Sequence, residues 1–242
     1  MSVTTENTVR ELAVTVPGAT RVFENYGIDY CCGGNRTLEQ ACQAAHVSLD
    51  QLQDSLAAAG RTANSSRDDR HWQAEPLADL IDHIKNTHHR YVRDTCSRLG
   101  PLFGKVCSVH AKNHPELPLL RDIFGGLAQE LATHMMKEEM VLFPYIARME
   151  EAVIEKSTVI PPPFGTVRNP VAMMIHEHDD AGAALQQLRQ ASNSFTAPPD
   201  ACVSYRTLYQ ALADFEADLH QHIHLENNIL FPRAIEMERT AL

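Results

Sequence analysis

The 242-residue chain contains no apolar run approaching the roughly 18–20 residues that cross a bilayer, and its start, MSVTTENTVRELAV, lacks the basic-then-apolar layout of a secretion signal. Positive charge is also scarce. Twenty-one lysines and arginines face 31 aspartates and glutamates, a formal net charge of −10 that argues against nucleic acid or an anionic membrane as partner. The six cysteines, at 31, 32, 42, 96, 107 and 202, form neither paired CxxC units nor a CxxCH haem site. Their irregular spacing suits reduced thiols in a cytoplasmic protein rather than a disulfide framework. Global disorder is excluded by a 44% hydrophobic, 21% charged composition. Histidine alone is in excess, with 13 copies.

Strand-like alternation is absent, which leaves an all-α chain in two parts. Residues 1–60 read as a small helical domain in which Thr37-Leu-Glu-Gln40 and Ser48-Leu-Asp-Gln51 are capping-box patterns, each opening a short amphipathic segment. Between the helices lies Asp29-Tyr-Cys31-Cys32-Gly33-Gly34, whose glycines predict a turn and a close backbone approach. Residues 61–75 are polar and aperiodic and read as a linker. From 76 to 242 four long helical segments are expected, at about 76–99, 117–149, 169–192 and 201–239, with Pro76 and Pro170 in first-turn positions. Short connections between helices of this length predict an antiparallel four-helix bundle.

An internal repeat carries the functional argument. His134-Met-Met-Lys-Glu138-Glu-Met-Val-Leu142-Phe143-Pro144 and His222-Ile-His-Leu-Glu226-Asn-Asn-Ile-Leu230-Phe231-Pro232 both read HxxxExxxLFP. Each is preceded by another histidine at nearly the same distance, His89 before His134 and His178 before His222. Apolar stripes at helical spacing run through both copies, as Leu127, Leu131, His134, Glu138, Val141 and as Phe215, Leu219, His222, Glu226, Ile229. A lone inward histidine is ordinarily a hydrogen-bonded core residue, and a lone His/Glu pair at i, i+4 is ordinarily surface decoration. Two such pairs in phase with two apolar stripes are different. A core carboxylate costs several kcal/mol to desolvate unless a cation compensates it. In the first helix, apolar phase (Leu77, Leu80, Ile84, Tyr91) selects His88, whereas repeat spacing selects His89. The remaining pair, His220 and His224, falls on the polar face Glu216, His220, His224, Asn227 and is expected to be solvated. His176 is likewise expected on an outer face.

Four imidazoles and two carboxylates exceed what one tetrahedral zinc accepts. Shared between two ions, they supply two terminal histidines each with both glutamates bridging, a nitrogen–oxygen set that suits iron, with manganese or zinc as substitutes. One bridging oxo or hydroxo group leaves each iron about five-coordinate. The Glu-x-x-His pairs of oxygen-activating ferritin-like sites are missing, which points away from mono-oxygenation and towards reversible binding, redox or iron exchange.

These motifs resemble a known family, the iron–sulfur cluster repair di-iron proteins, relatives of the hemerythrins. The resemblance rests on Tyr30-Cys31-Cys32-Gly33-Gly34, His134-Met-Met-Lys-Glu138-Glu, Glu177-His178-Asp179-Asp180-Ala-Gly182 and His222-Ile-His-Leu-Glu226-Asn-Asn-Ile-Leu230-Phe231-Pro232-Arg233-Ala234, and it spans nearly the whole chain. It implies a hemerythrin-like bundle holding two non-haem irons, with His89, His134, His178 and His222 as terminal ligands and Glu138 and Glu226 as bridges. In the first helix it selects the second histidine of the His88-His89 pair. It also implies repair of clusters damaged by nitrosative or oxidative stress, by donation of iron to damaged iron–sulfur proteins. The alternatives it leaves are binding or sensing of nitric oxide or oxygen, or nitric oxide reduction, at the same site. Cys31 and Cys32 are the family's hallmark and become candidates for redox or iron transfer, while Glu130 and Glu177 are candidates for support of the ligands. Neither nucleic acid nor a membrane is implied as partner, and a homodimer is compatible with the pattern.

Overall fold

A computed structural model describes residues 3–62 and 72–241. Most of the expected linker therefore lies outside the described residues. Trp72, at its end, is buried and packs on His83 with ring centroids 4.7 Å apart.

Four helices, α1 (Val9–Thr15), α2 (Ala19–Asn25), α3 (Leu38–Ala45) and α4 (Leu49–Thr62), make up the N-terminal part. Reciprocal capping boxes start two of them: Thr8 with Glu11 on α1, and Thr37 with Gln40 on α3. The two starts meet in an isolated antiparallel bridge between Thr8 and Thr37. Val9, Leu12, Phe23, Ile28, Tyr30, Leu38, Leu52 and Leu56 form a core of their own.

Four long rods make up the rest. The first is α5 (Leu77–Ile84) running through a π turn (Lys85–His89) into α6 (Arg90–His110). The second is α7 (Glu116–Lys137), a π turn (Glu138–Leu142) and α8 (Phe143–Glu155). The third, α9 (Arg168–Ala191), is unbroken. The fourth joins α10 (Val203–Leu225) through a π turn (Glu226–Leu230) to α11 (Phe231–Ala241). Contacts of α6 with α7 and α10, and of α7 with α9, build the bundle, and Arg189 of α9 bonding Glu216 of α10 (3.0 Å) joins its remaining side. The first rod runs on past the expected end at residue 99. Gly100 and Pro101 lie on its exposed side, while Leu99, Phe103 and Val106 continue the buried stripe. Its start lacks a side-chain cap of its own, and Glu150 of α8 serves instead, accepting the N–H groups of Leu77 (2.6 Å) and Ala78 (2.8 Å).

Two of the π turns have a cause in the repeat itself. Proline has no N–H, so Pro144 and Pro232 cannot bond the carbonyls four residues back, at Met140 and Asn228. The ladder widens by one residue just before each, over Glu138–Leu142 and Glu226–Leu230. The carbonyl that Pro232 leaves free is reused, since Asn228 O accepts from Arg10 Nη2 of the N-terminal part at 3.3 Å.

The extra residue in each turn rotates the helix beyond it. Past Glu138 the inward residue is Leu142, while Val141, expected in the core, is 46% exposed. Past Ile84 the inward residue becomes His89. A layer of His and Glu thus divides the bundle interior into two apolar clusters. One contains Leu99, Phe103, Leu131, Leu185, Phe215 and Leu219; the other contains Leu80, Ile84, Phe143, Ile146, Met174 and Phe231.

Candidate metal centre

Six charged or ionisable side chains meet in this layer: His89, His134, Glu138, His178, His222 and Glu226, none more than 2% exposed. They form two sets that share both glutamates. His89, His222, Glu138 and Glu226 offer one donor atom each within 4.8 Å of one another, and so do His134, His178, Glu138 and Glu226. In the first set His89 Nε2 lies 3.1 Å from His222 Nε2 and 3.4 Å from Glu138 Oε2, and His222 Nε2 lies 3.1 Å from Glu226 Oε1. In the second, His134 Nε2 lies 3.0 Å from His178 Nε2 and 3.3 Å from Glu138 Oε2, and His178 Nε2 lies 3.1 Å from Glu226 Oε2.

The outer nitrogens decide which atoms face inward. His89 Nδ1 donates to Glu139 (2.7 Å), His134 Nδ1 to Glu177 (2.8 Å), and His178 Nδ1 to the Asn227 side-chain oxygen (2.8 Å). A carboxylate only accepts, so Nδ1 of His89 and His134 must carry the proton, and in the neutral ring Nε2 is then a bare lone pair. Arg93 holds Glu139 at 2.6 Å and Lys137 pairs with Glu177, so both supporting carboxylates stay ionised. Their pKa values are accordingly lowered: burial opposes this, but bonds from His89 and Arg93 on Glu139, and from Lys137 and His134 on Glu177, outweigh it.

The result is a layer of mutually facing donors. Both oxygens of Glu138 and Glu226 Oε2 are buried with no hydrogen-bond partner, a burial that costs several kcal/mol per carboxylate in the absence of a compensating cation. In the protein without metal only protons can play that part. Burial pushes His89 and His134 down, but the adjacent carboxylates of Glu138 and Glu226 carry them up to about 10 and about 9. The six side chains therefore fit a metal site, and the mixed nitrogen–oxygen set without thiolate fits iron.

The two neighbouring histidines separate cleanly. His89 points into the layer, whereas Nδ1 of His88 bonds Asp218 at 3.0 Å and its ring stacks on His222 from outside, with centroids 5.8 Å apart. Glu177 reaches His134 directly, and Glu130 lines a cleft of about 480 Å³ with His134, Lys137, Glu177 and Asp180. His176 lies outside as expected, its side chain 77% exposed. His224 does not. It is 3% exposed, with Asn228 Nδ2 2.8 Å from its Nδ1 and Tyr30 ring-to-ring at 5.4 Å. The face bearing His220 and His224 is polar in sequence because the N-terminal part docks on it, and burial holds His224 down at about 4.

Cys31 and Cys32 arrive at the layer with that docking. Asn228 donates to Tyr30 O (2.9 Å), Asn227 donates to Cys31 O (3.3 Å), and Cys32 Sγ lies 3.5 Å from the backbone oxygen of His178. All six cysteines are free thiols. The supporting roles of Glu139 and Asn227 escape a sequence reading. Their only signal is adjacency to Glu138 and Glu226, which says nothing of which helix they reach across to.

Comparison with known proteins agrees with this arrangement. Residues 79–234 match the Hemerythrin HHE cation binding domain, and residues 5–60 match ScdA_N, a domain of unknown function. An iron-sulfur cluster repair protein YtfE of Cronobacter sakazakii is 38% identical over 230 residues, covering 95% of this chain and 96% of that one. A probable iron-sulfur cluster repair protein of Haemophilus influenzae is 36% identical over 231 residues, 93% of this chain and 95% of its own. A YtfE of Salmonella paratyphi B is 36% identical over 229 residues, 94% and 96% of the two chains.

Proposed function

The chain belongs to the iron–sulfur cluster repair proteins that carry a hemerythrin HHE cation-binding domain, and on that premise we propose that it restores damaged iron–sulfur clusters by donating iron from a di-iron centre. The observation that carries this reading is the layer of bare imidazole nitrogens and unpartnered carboxylate oxygens, arranged as two donor sets sharing two glutamates. In this reading His89 and His222 hold one ion and His134 and His178 the other, with Glu138 and Glu226 bridging them alongside an oxo or hydroxo group. When bound, the pair supplies exchangeable non-haem iron.

The side chains around it set the terms of exchange. Glu139, Glu177 and Asn227 fix the rings of His89, His134 and His178, and each released ion leaves one histidine, His89 or His134, that can take up a proton in its place. The cleft beside His134, lined by Glu130, Lys137, Glu177 and Asp180, offers a polar path from the layer to solvent. Residues 1–60 act as a domain that seats Cys31 and Cys32 on the other side of His178, residues 76–242 as the bundle that stores the iron, and the stretch 61–75 as the linker. Damaged iron–sulfur proteins are the recipients. Six unpaired thiols suit a reducing, cytoplasmic setting. No helix among the described residues is long and apolar enough to cross a membrane.

The test is transfer. Anaerobic protein carrying two irons per chain is mixed with an iron–sulfur enzyme inactivated by nitric oxide, and regain of enzyme activity is followed together with loss of iron from the donor. Recovery that tracks iron loss is expected. A centre that keeps its iron against a strong chelator and restores nothing ends the proposal.

A further inference from the structure

The turn that carries Cys31 and Cys32 gathers a third set of metal-binding atoms, away from the His/Glu layer. Asp29 folds its carboxylate back over the turn. Its Oδ1 accepts the N–H groups of Cys31 (3.0 Å) and Cys32 (2.9 Å), and its Oδ2 accepts that of Gly33 (2.9 Å). Cys31 Sγ lies 3.3 Å from the same Oδ1 and 3.8 Å from Cys32 Sγ. One donor atom from each of the three side chains lies within 4.8 Å of the other two. Both glycines permit the closure. A Cβ on Gly33 would come within 3.0 Å of Asp29 Oδ2, and one on Gly34 within 3.1 Å of Tyr30 O and Arg10 Cβ.

A turn cap accounts for the three N–H bonds to Asp29. It does not account for a thiol of the bundle core brought against the same carboxylate with a second thiol 3.8 Å from the first. We propose that Asp29, Cys31 and Cys32 form a further metal site, a three-ligand station with an open outer position for a divalent cation that accepts both thiolate and carboxylate. Such a donor set takes ferrous iron and, as probes, cobalt, zinc or cadmium. That iron is its working occupant rests on the proposed delivery function.

A divalent cation bound here displaces the thiol protons to solvent and forms two sulfur bonds and one oxygen bond. Position favours hand-over. Cys32 Sγ lies against the His178 backbone and Asn227 ties the Cys31 carbonyl to the His178 ring, while Cys32 is half-buried and Asp29 faces solvent.

The experiment is an anaerobic titration of cobalt(II) into the full chain with its di-iron centre already filled, read by the near-ultraviolet sulfur-to-cobalt charge-transfer band. One cobalt per chain is expected, with the band lost in Cys31→Ser and Cys32→Ser and iron content unchanged. Asp29→Asn, which keeps an acceptor for the turn, is expected to weaken binding by roughly 10–100-fold, the scale on which even an outer-sphere partner acts. Cys32→Ser leaves the three backbone N–H bonds to Asp29 in place, so its readout does not depend on the fold of the Asp29 variant. No band at saturating cobalt, or a band that persists in both cysteine variants, overturns the site. A band with the expected dependence, in a protein that restores no damaged cluster, upholds the site and refutes the delivery function alone.

Discussion

Glu226→Leu and Glu139→Gln separate a shared ligand from a supporting residue. Glu226 is fully buried, belongs to both donor sets, and presents Oε1 to His222 and Oε2 to His178 at 3.1 Å each. Removing it takes a donor from both ions, so iron content is expected to fall from two per chain to none after gel filtration. Glu139 touches only His89 in the layer. Its replacement by glutamine is expected to weaken one ion by roughly 10–100-fold, about 1.4–2.8 kcal/mol, and to leave the other in place. The apo forms run the opposite way. Leucine fills a volume close to that of glutamate and removes one of the two buried carboxylates, leaving Glu138 between His89 and His134 as their shared counter-charge. Replacing such a buried ionic group with an apolar one is neutral or stabilising by about 1–4 kcal/mol, which raises Tm by about 2–4 °C per kcal/mol in a chain of this size. Colorimetric iron assay and calorimetry of chelator-treated protein supply both readouts. Two irons retained in Glu226→Leu, or both lost in Glu139→Gln, refute the shared-ligand assignment.

The same geometry fixes four further outcomes. His89→Asn is expected to lose iron while His88→Asn, whose ring lies outside the layer against Asp218, retains two per chain; the reverse result in the iron assay would place the ligand on His88. Without metal, Glu138 and Glu226 outweigh burial and hold His89 at about 10 and His134 at about 9, so both rings are protonated at about neutral pH and chelation of iron should take up about two protons per chain for them, beyond those that carry a bridging oxo or hydroxo group away as water, in a weakly buffered indicator assay. Because those pKa values are raised, the stability they lend the apo protein is full below the unfolded value near 6.5 and is lost as pH rises through 9–10; a flat apo Tm across that range contradicts it. Asn227→Leu removes the acceptor of His178 Nδ1 and should speed chelation of one iron by roughly 10–100-fold with the other unchanged, Asn227→Asp restoring the slow rate, whereas equal acceleration of both irons refutes a role specific to His178.

The helical bundle and the six layer residues were legible in sequence because the signal for each is local. His/Glu spacing within one helix and its phase with an apolar stripe are set by about 3.6 residues per turn, and the repeat states them twice. Phase was lost across two of the three π turns, whereas Ile229, three residues past Glu226, is buried as expected. Counting by fours from Ile84 arrives at His88 and counting by threes from Glu138 arrives at Val141, yet the structure turns His89 and Leu142 into the core, one residue further on in each case. Repeat spacing succeeded at His89 where apolar phase did not, because no π turn falls between His89 and His134 or between His178 and His222, so the count between ligands never crosses a widened turn. The widening was partly readable too. A proline shortly after an inward glutamate removes the N–H that would close the ladder, so LFP in HxxxExxxLFP marks a shift in phase and not only the continuation of a helix.

Long-range docking was not legible. His224 and Asn227 look like a solvated face until Tyr30, Cys31 and Cys32 settle on it, and nothing within the helix encodes that cover. The same docking ties the two proposed metal sites together. Asn227 spends its oxygen on an imidazole of the His/Glu layer and its nitrogen on the carbonyl of Cys31, so a thiol turn from the N-terminal part and a donor set from the bundle share one amide. A cation bound at either place therefore acts on the geometry of the other, which is the arrangement a protein needs if iron is to be held tightly in a buried layer and still be released to a recipient at the surface.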